Sequence, residues 1–289
     1  MTSQRKTKRR PVAARHRPFG NTGWIVVTAV TIALAGGTCA LVSTGPNGIG
    51  LPQTEPLTVQ SLRVEVKREL PHDTTAYTQG LLWRDGWLYE STGQYGDSRL
   101  SRIDPKTGIV NQQVYTSPAF FGEGLAAVGD HLIMLTWKAE RAYVYDADSF
   151  EEVRIFRYRG EGWGLCYDTD RGRLIMSDGS DMLTFRDPTT FEPLGSIRVT
   201  LRGRPLTQLN ELECVGDVVY ANVYQEEHLV VIDPKTGRVM HQIDASGLLT
   251  NDEARGVDVL NGIAYDPATE TFFITGKDWP KIFEVRFVE

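Results

Sequence analysis

One carboxylate stands within a set of neutral side chains that recur at an equivalent place along the chain. Two residues before each of five regularly spaced apolar residues, Leu81, Leu125, Leu165, Leu212 and Ile263, stand Gln79, Glu123, Trp163, Asn210 and Asn261. Brought to one place, these side chains surround a single ionisable group with three amides and an aromatic ring, equipment suited to moving a proton. They can equally line a solvated polar channel that does no chemistry. Further rings flank the same positions: Tyr77 and Phe121 two residues earlier, and Trp137 and Tyr224 at the ends of the strands that follow. Taken singly, each is ordinary packing. Gathered round one carboxylate, they form a cage for a compact polar molecule carrying an ammonium group.

The elements that must position these residues come from a repeat of roughly 40 to 50 residues, five times over from Ser61 onward. Each unit opens on a short strand: TQGLLW, GEGLAAV, GWGLCYD, LNELECV and LNGIAYD. After a polar or glycine turn comes a second strand, GWLYES, DHLIMLT, GRLIMSD, DVVYANV or TFFITG, a hairpin pattern. In four units a third strand ends at Asp104, Asp146, Asp187 or Asp233, as in DPKTG, where the aspartate accepts backbone N–H bonds and glycine takes the left-handed position. These aspartates are turn formers, not ligands. The fifth unit has only three strands, and LRVEVK at Leu62 is an alternating strand without a unit. The expected fold is an all-β five-bladed β-propeller, preceded by an N-terminal transmembrane or signal segment. The strand at Leu62 should complete the last blade and remove the open edges.

The ends of the chain set its surroundings. Seven basic residues between Arg5 and Arg17, without an acid among them, precede an uncharged stretch from Pro18 to Thr54. The expected organisation is a basic cytoplasmic arm over 1–23, a transmembrane or signal segment over 24–42, a flexible tether over 43–60 and the propeller catalytic domain over 61–289. An uncleaved anchor is favoured over a cleaved signal because the apolar run continues to Val42, beyond the small residues Ala33 and Ala35. Everything after the anchor is then extracytoplasmic. No later basic stripe interleaved with aromatics suggests a nucleic-acid partner. Cys39 follows a poor lipoprotein signal, and Cys166 and Cys214, on different phases of two strands, read as buried small residues rather than a disulfide. Neither the five histidines nor the three cysteines show zinc-ligand spacing.

Ten strings in order, YTQGLLW, LYESTGQYGDS, FGEGL, LTWK, GEGWGL, MSDGS, LNELE, ANVYQ, LNGIAYD and TGKDWP, resemble the plant and bacterial type of glutaminyl cyclotransferase, over nearly all of residues 70–289. The resemblance implies closure of an N-terminal glutamine into pyroglutamate with release of ammonia. It implies Glu123 as the catalytic carboxylate, with Gln79, Trp137, Trp163, Asn210 and Lys277 around it. Tyr77 stands where that family commonly has phenylalanine, and Tyr224 where it commonly has tryptophan; both keep a ring, so substrate preference should change rather than activity be lost. Tyr77, Phe121 and Tyr224 complete the expected substrate site, and Asn261 lines the channel. The implied partners are peptides or proteins beginning with glutamine, and the membrane through the N-terminal segment. No cofactor is required for catalysis; the resemblance leaves room for a structural calcium ion in the channel, its ligands unknown.

Two other classes remain. A non-catalytic binding module on the same fold would tolerate change at Glu123. A metal-dependent lactonase or a sugar or quinone oxidoreductase would need several metal-binding acids or histidines at the channel mouth, where the ring has one acid.

Overall fold

A computed structural model describes residues 58–289. The basic arm, the apolar segment over 24–42 and nearly all of the 43–60 tether lie outside the described residues. No helix occurs among the described residues, and hence none long and apolar enough to cross a membrane.

The described residues form twenty-two strands. Strand β1 (Gln60–Pro71) precedes five four-stranded units. The first is β2 (Thr78–Arg84), β3 (Trp87–Thr92), β4 (Arg99–Ile103) and β5 (Val110–Tyr115). The second is β6 (Gly122–Val128), β7 (His131–Thr136), β8 (Arg141–Asp146) and β9 (Glu152–Arg157). The third is β10 (Leu165–Asp168), β11 (Arg173–Met176), β12 (Met182–Arg186) and β13 (Pro193–Arg198). A small hairpin, β14 (Thr200–Leu201) and β15 (Arg204–Pro205), leads to the fourth: β16 (Leu209–Val215), β17 (Val218–Val223), β18 (His228–Asp233) and β19 (Arg238–Asp244). The fifth is β20 (Leu260–Asp266), β21 (Thr271–Gly276), β22 (Lys281–Val288) and β1. The inner strands follow one another in a closed, propeller-like cycle: β2 neighbours β6, then β10, β16 and β20, which returns to β2.

Closure by the first strand is as expected. From Arg63 to Pro71, β1 runs antiparallel to β22, with Arg63 opposite Val288 and Pro71 opposite Lys281. Its first residues do something the repeat does not suggest. Gln60–Arg63 pair in parallel with His241–Asp244 of β19, so one strand stitches the fourth unit to the fifth.

Apolar burial follows the unit boundaries. Five clusters each draw on two neighbours: Leu82 and Leu100 of the first unit meet Leu132 and Met134 of the second, and Leu81 and Leu88 meet Phe273 and Ile282 across the seam from the fifth to the first. The core is therefore a set of layers between units, and no unit buries its own faces alone.

Near the axis the strands approach closely because the residue before each central apolar residue is usually glycine. A Cβ at Gly80 would lie 2.6 Å from the Leu125 nitrogen, at Gly124 2.6 Å from the Leu165 nitrogen, and at Gly164 2.0 Å from the Asn210 carbonyl oxygen. The fourth unit breaks this pattern with Glu211, which is fully buried. Its carboxylate accepts from the N–H groups of Leu81, at 3.3 Å, and Ile263, at 2.8 Å, tying three units together. Glu213 reaches sideways in the same way to the Tyr265 N–H at 2.9 Å.

The four turn aspartates behave as expected. Asp104, Asp187 and Asp233 each accept from the N–H two residues on at 2.8 Å. In the first and fourth units the left-handed turn position is Gly108 and Gly237; in the second and third it is Phe150 and Phe191, at φ 61° and 64°, both buried.

The two later cysteines correct the sequence reading. Cys166 of β10 and Cys214 of β16 form a disulfide, with Cα atoms 5.5 Å apart. Their phase within separate strands did not preclude it, because β10 and β16 are adjacent inner strands and the Cys166 and Cys214 side chains meet in the layer between the third and fourth units. Cys166→Ala/Cys214→Ala should lower the unfolding free energy by about 2–4 kcal/mol, read from the denaturant midpoint under oxidising conditions; an unchanged midpoint would contradict the bridge.

Candidate active site

The inner strands do not run with regular pairing up to their ends. Pairing registers shift between Thr78 and Gly80, Gly122 and Leu125, Leu209 and Leu212, and Leu260 and Ile263. Such bulges bend a strand and re-aim the side chains within them. Those side chains include Gln79, Glu123, Asn210 and Asn261, four of the five equivalent polar positions. Trp163 of the third unit lies just before β10, fixed by Gly124 N–H donating to its carbonyl at 2.6 Å and by its own N–H donating to Ser177.

Together these distortions open a cavity of about 260 Å³ lined by Tyr77, Gln79, Gln94, Phe121, Glu123, Trp137, Trp163, Asn210, Tyr224 and Lys277. All the expected site residues are there except Asn261. That side chain is completely buried behind Gln79, donating to the Thr78 carbonyl at 2.9 Å and the Gln79 amide oxygen at 3.2 Å. Asn261 therefore orients Gln79 and is not itself part of the lining.

Glu123 is 4% exposed, and its carboxyl group makes no hydrogen bond to the described residues. Burial pushes its pKa well above the usual carboxylate range, Lys277 opposes that shift and Glu161 adds to it. Lys277, from the turn after β21, is 3% exposed. Burial lowers its pKa against the pull of Glu123, Asp258 and Asp278. Its ammonium lies 4.8 Å from the Tyr77 ring centre and 5.0 Å from that of Tyr224, so two aromatic faces hold it. Asn210 contributes a buried side-chain oxygen without a partner among the described residues, an acceptor suited to a ligand N–H.

The rings form two groups. Phe121 meets Tyr77 edge-on at 6.1 Å and Trp137 at 5.7 Å, while Trp163 meets Tyr224 edge-on at 5.7 Å. Glu161, which the sequence reading passed over, joins the groups: one carboxylate oxygen accepts from the indole N–H of Trp137 at 2.7 Å and of Trp163 at 3.1 Å. Against the upward pull of its partial burial, these bonds and Lys138 hold its pKa below the usual range. Asp258 was also missed; it accepts from the Tyr77 hydroxyl at 2.7 Å, which with burial raises the phenol's pKa. Gln94, the third omission, occupies a left-handed position at φ 89° in the quoted string LYESTGQYGDS, where its presence outside a strand concealed its place in the lining.

A small cavity with one buried carboxyl group, one buried ammonium, amide donors and acceptors, and aromatic walls can bind a compact polar group out of water and move its protons. Comparisons with known proteins point to one family. The family model for glutamine cyclotransferase matches residues 37–287. The chain is 39% identical over 228 residues to the glutaminyl-peptide cyclotransferase of Arabidopsis thaliana, covering 77% of this chain and 71% of that protein. The crystal structure of Myxococcus xanthus glutaminyl cyclase superposes with a TM-score of 0.72 at 39% identity, over 80% of this chain and 99% of that one.

Difference infrared spectroscopy of the carboxyl stretch, wild type against Glu123→Gln, should show Glu123 releasing its proton at a pH above that of an ordinary glutamate. Lys277→Met should move this titration further up, and Glu161→Gln should move it down, because the first removes a positive neighbour and the second a negative one.

Proposed function

The chain belongs to the glutamine cyclotransferase family, and from that premise we propose that Glu123 carries the proton transfers by which it closes an N-terminal glutamine into pyroglutamate and releases ammonia. The single observation that carries the assignment is a buried carboxyl group with no hydrogen bond to the described residues, facing a cavity of one-residue scale. A binding module without catalysis is not favoured.

The chemistry requires the substrate's α-amine to attack its own γ-carboxamide carbon. An ammonium has no lone pair, so Glu123 first takes a proton from it. A peptide α-ammonium has a pKa of about 7.7–8.0, and a carboxyl group raised by burial comes closer to that value, which lowers the cost of the transfer. As the carbon–nitrogen bond forms, the attacking nitrogen must lose a further proton and the carboxamide nitrogen must gain one. The two Glu123 oxygens can do both, giving the stored proton to the leaving nitrogen while accepting the other. The carbon–nitrogen bond to ammonia then breaks.

The aromatic walls would fold the glutamine side chain toward its own amine and keep water out. Lys277 repels the substrate ammonium, so its natural partner is the oxygen that becomes negative during attack; the Gln79 amide nitrogen can share that role. The orphan oxygen of Asn210 suits the carboxamide or amine N–H. In class terms this is acyl transfer, the γ-acyl group passing from ammonia to the substrate's amine.

The wider reading is a five-bladed β-propeller held outside the cytoplasm by an N-terminal anchor, acting on peptides or proteins that begin with glutamine and not on nucleic acid. The cyclic order of inner strands and the layers between units support the propeller, and a disulfide is what an oxidising compartment permits. The proton relay needs no metal. A structural calcium ion in the channel would rest on backbone and amide oxygens as much as on acids: the described residues contain no group of three acids, histidines or cysteines placed to hold an ion, while the buried Asn261 side-chain oxygen lacks a hydrogen-bond partner among them.

With a glutamine-initiated dipeptide, the wild type should release ammonia and leave a product lighter by one ammonia. Glu123→Gln should lower kcat about 10²–10⁴-fold with the unfolding midpoint retained; a variant that keeps wild-type kcat would remove Glu123 from the mechanism.

A further inference from the structure

Cyclisation places the amine and side chain of the first substrate residue at Glu123, so the bond to the second residue must lead out of the cavity. Immediately beyond one wall is a groove of about 310 Å³, built by the 245–259 loop and the turn after β17. The wall is common to both spaces. Tyr77 faces the cavity while its hydroxyl donates to Asp258 of the groove. Tyr224 faces the cavity and Gln225 the groove; Lys277 faces the cavity and Trp279 the groove. Main-chain bonds between Lys277 and Asp258 or Val259, and the Trp279 indole donating to the Asp258 carbonyl at 2.9 Å, fasten the loop to the catalytic turn.

The groove has a definite chemistry. Leu249, Val257 and Trp279 give it an apolar floor, while Glu226, Glu227 and Asp258 supply acid, and no lysine, arginine or histidine is among its lining residues. Of the nearby bases, Arg255 pairs with Asp252 and Lys281 with Glu69 and Glu253, while His228 lies 3.8 Å from Glu226 of the groove itself.

We propose that this groove receives the side chain of the residue following the N-terminal glutamine and selects peptides in which that residue is lysine or arginine. The inference rests on the cyclotransferase reading and adds a substrate class to it. A long methylene stem matches the apolar floor while its charged head remains near the acids at the solvent side. An acidic second residue meets like charge there, so discrimination arises as much from rejection as from attraction.

The test uses the full chain with glutaminyl-lysine amide, glutaminyl-alanine amide and glutaminyl-glutamate amide, following ammonia. At low salt kcat/KM should favour lysine over glutamate by about tenfold, contracting severalfold near 0.5 M salt because exposed charges are screened. Glu226→Gln/Glu227→Gln changes only exposed side chains; it should bring the ratio to within about twofold while leaving the alanine substrate's rate unchanged. Equal rates on all three substrates at low salt, or a lysine preference that survives both high salt and the double variant, would overturn the proposal while leaving the cyclotransferase reading intact. Ammonia from none of the three would overturn both.

Discussion

Everything in this protein depends on how closely five inner strands can approach one axis. An ordinary side chain at Gly80, Gly124 or Gly164 would collide with the neighbouring strand's main chain, and a ring held wider apart would lose the tight, dry floor beneath the cavity. The same crowding accounts for the bulges. Strands drawn together at one end cannot keep regular pairing with their own second strands there, and the residues released from pairing include those that face the cavity. Glu211 shows the constraint from the other side: where the fourth unit has a side chain instead of glycine, the chain uses it to satisfy two N–H groups of other units.

Burial then sets the electrostatics. Glu123 and Lys277 influence one another, but neither is neutralised by a tight ion pair, and the lysine rests on aromatic faces. A direct salt bridge would have favoured the ionised carboxylate and drawn its pKa back down. Glu161 holds two indoles in place from the cavity's edge while adding negative potential to Glu123, so the geometry of the walls and the protonation of the centre are coupled.

The legible part of the sequence was whatever repeats. Equivalent positions in five units revealed the inner-strand residues, the turn aspartates and the closing strand, because symmetry turns spacing into shared location. The rings stood beside those same positions, while Lys277 and the catalytic role proposed for Glu123 were implied by the family resemblance. Residues that act across units escaped. Glu161 reaches Trp137 of the second unit as well as its neighbour Trp163, Asp258 reaches Tyr77 of the first, and Gln94 lies outside the strands, so a unit-by-unit comparison gives none of them a counterpart. The disulfide escaped for a related reason: phase along a strand describes which face a residue occupies in its own sheet, whereas Cys166 and Cys214 meet between sheets. The cross-sheet seam from β1 to β19 likewise lies outside any repeat.

That seam has a temporal meaning. Strand β1 emerges from the ribosome before any of the units, yet its long partner, Lys281–Val288, follows every other described strand. Only its first four residues have another site, on β19 of the fourth unit. Until Lys281–Val288 has been made, the nascent ring is therefore open, with most of β1 short of a partner. Completion therefore waits on β22, and a chain cut before Lys281 would leave β1 without its long partner.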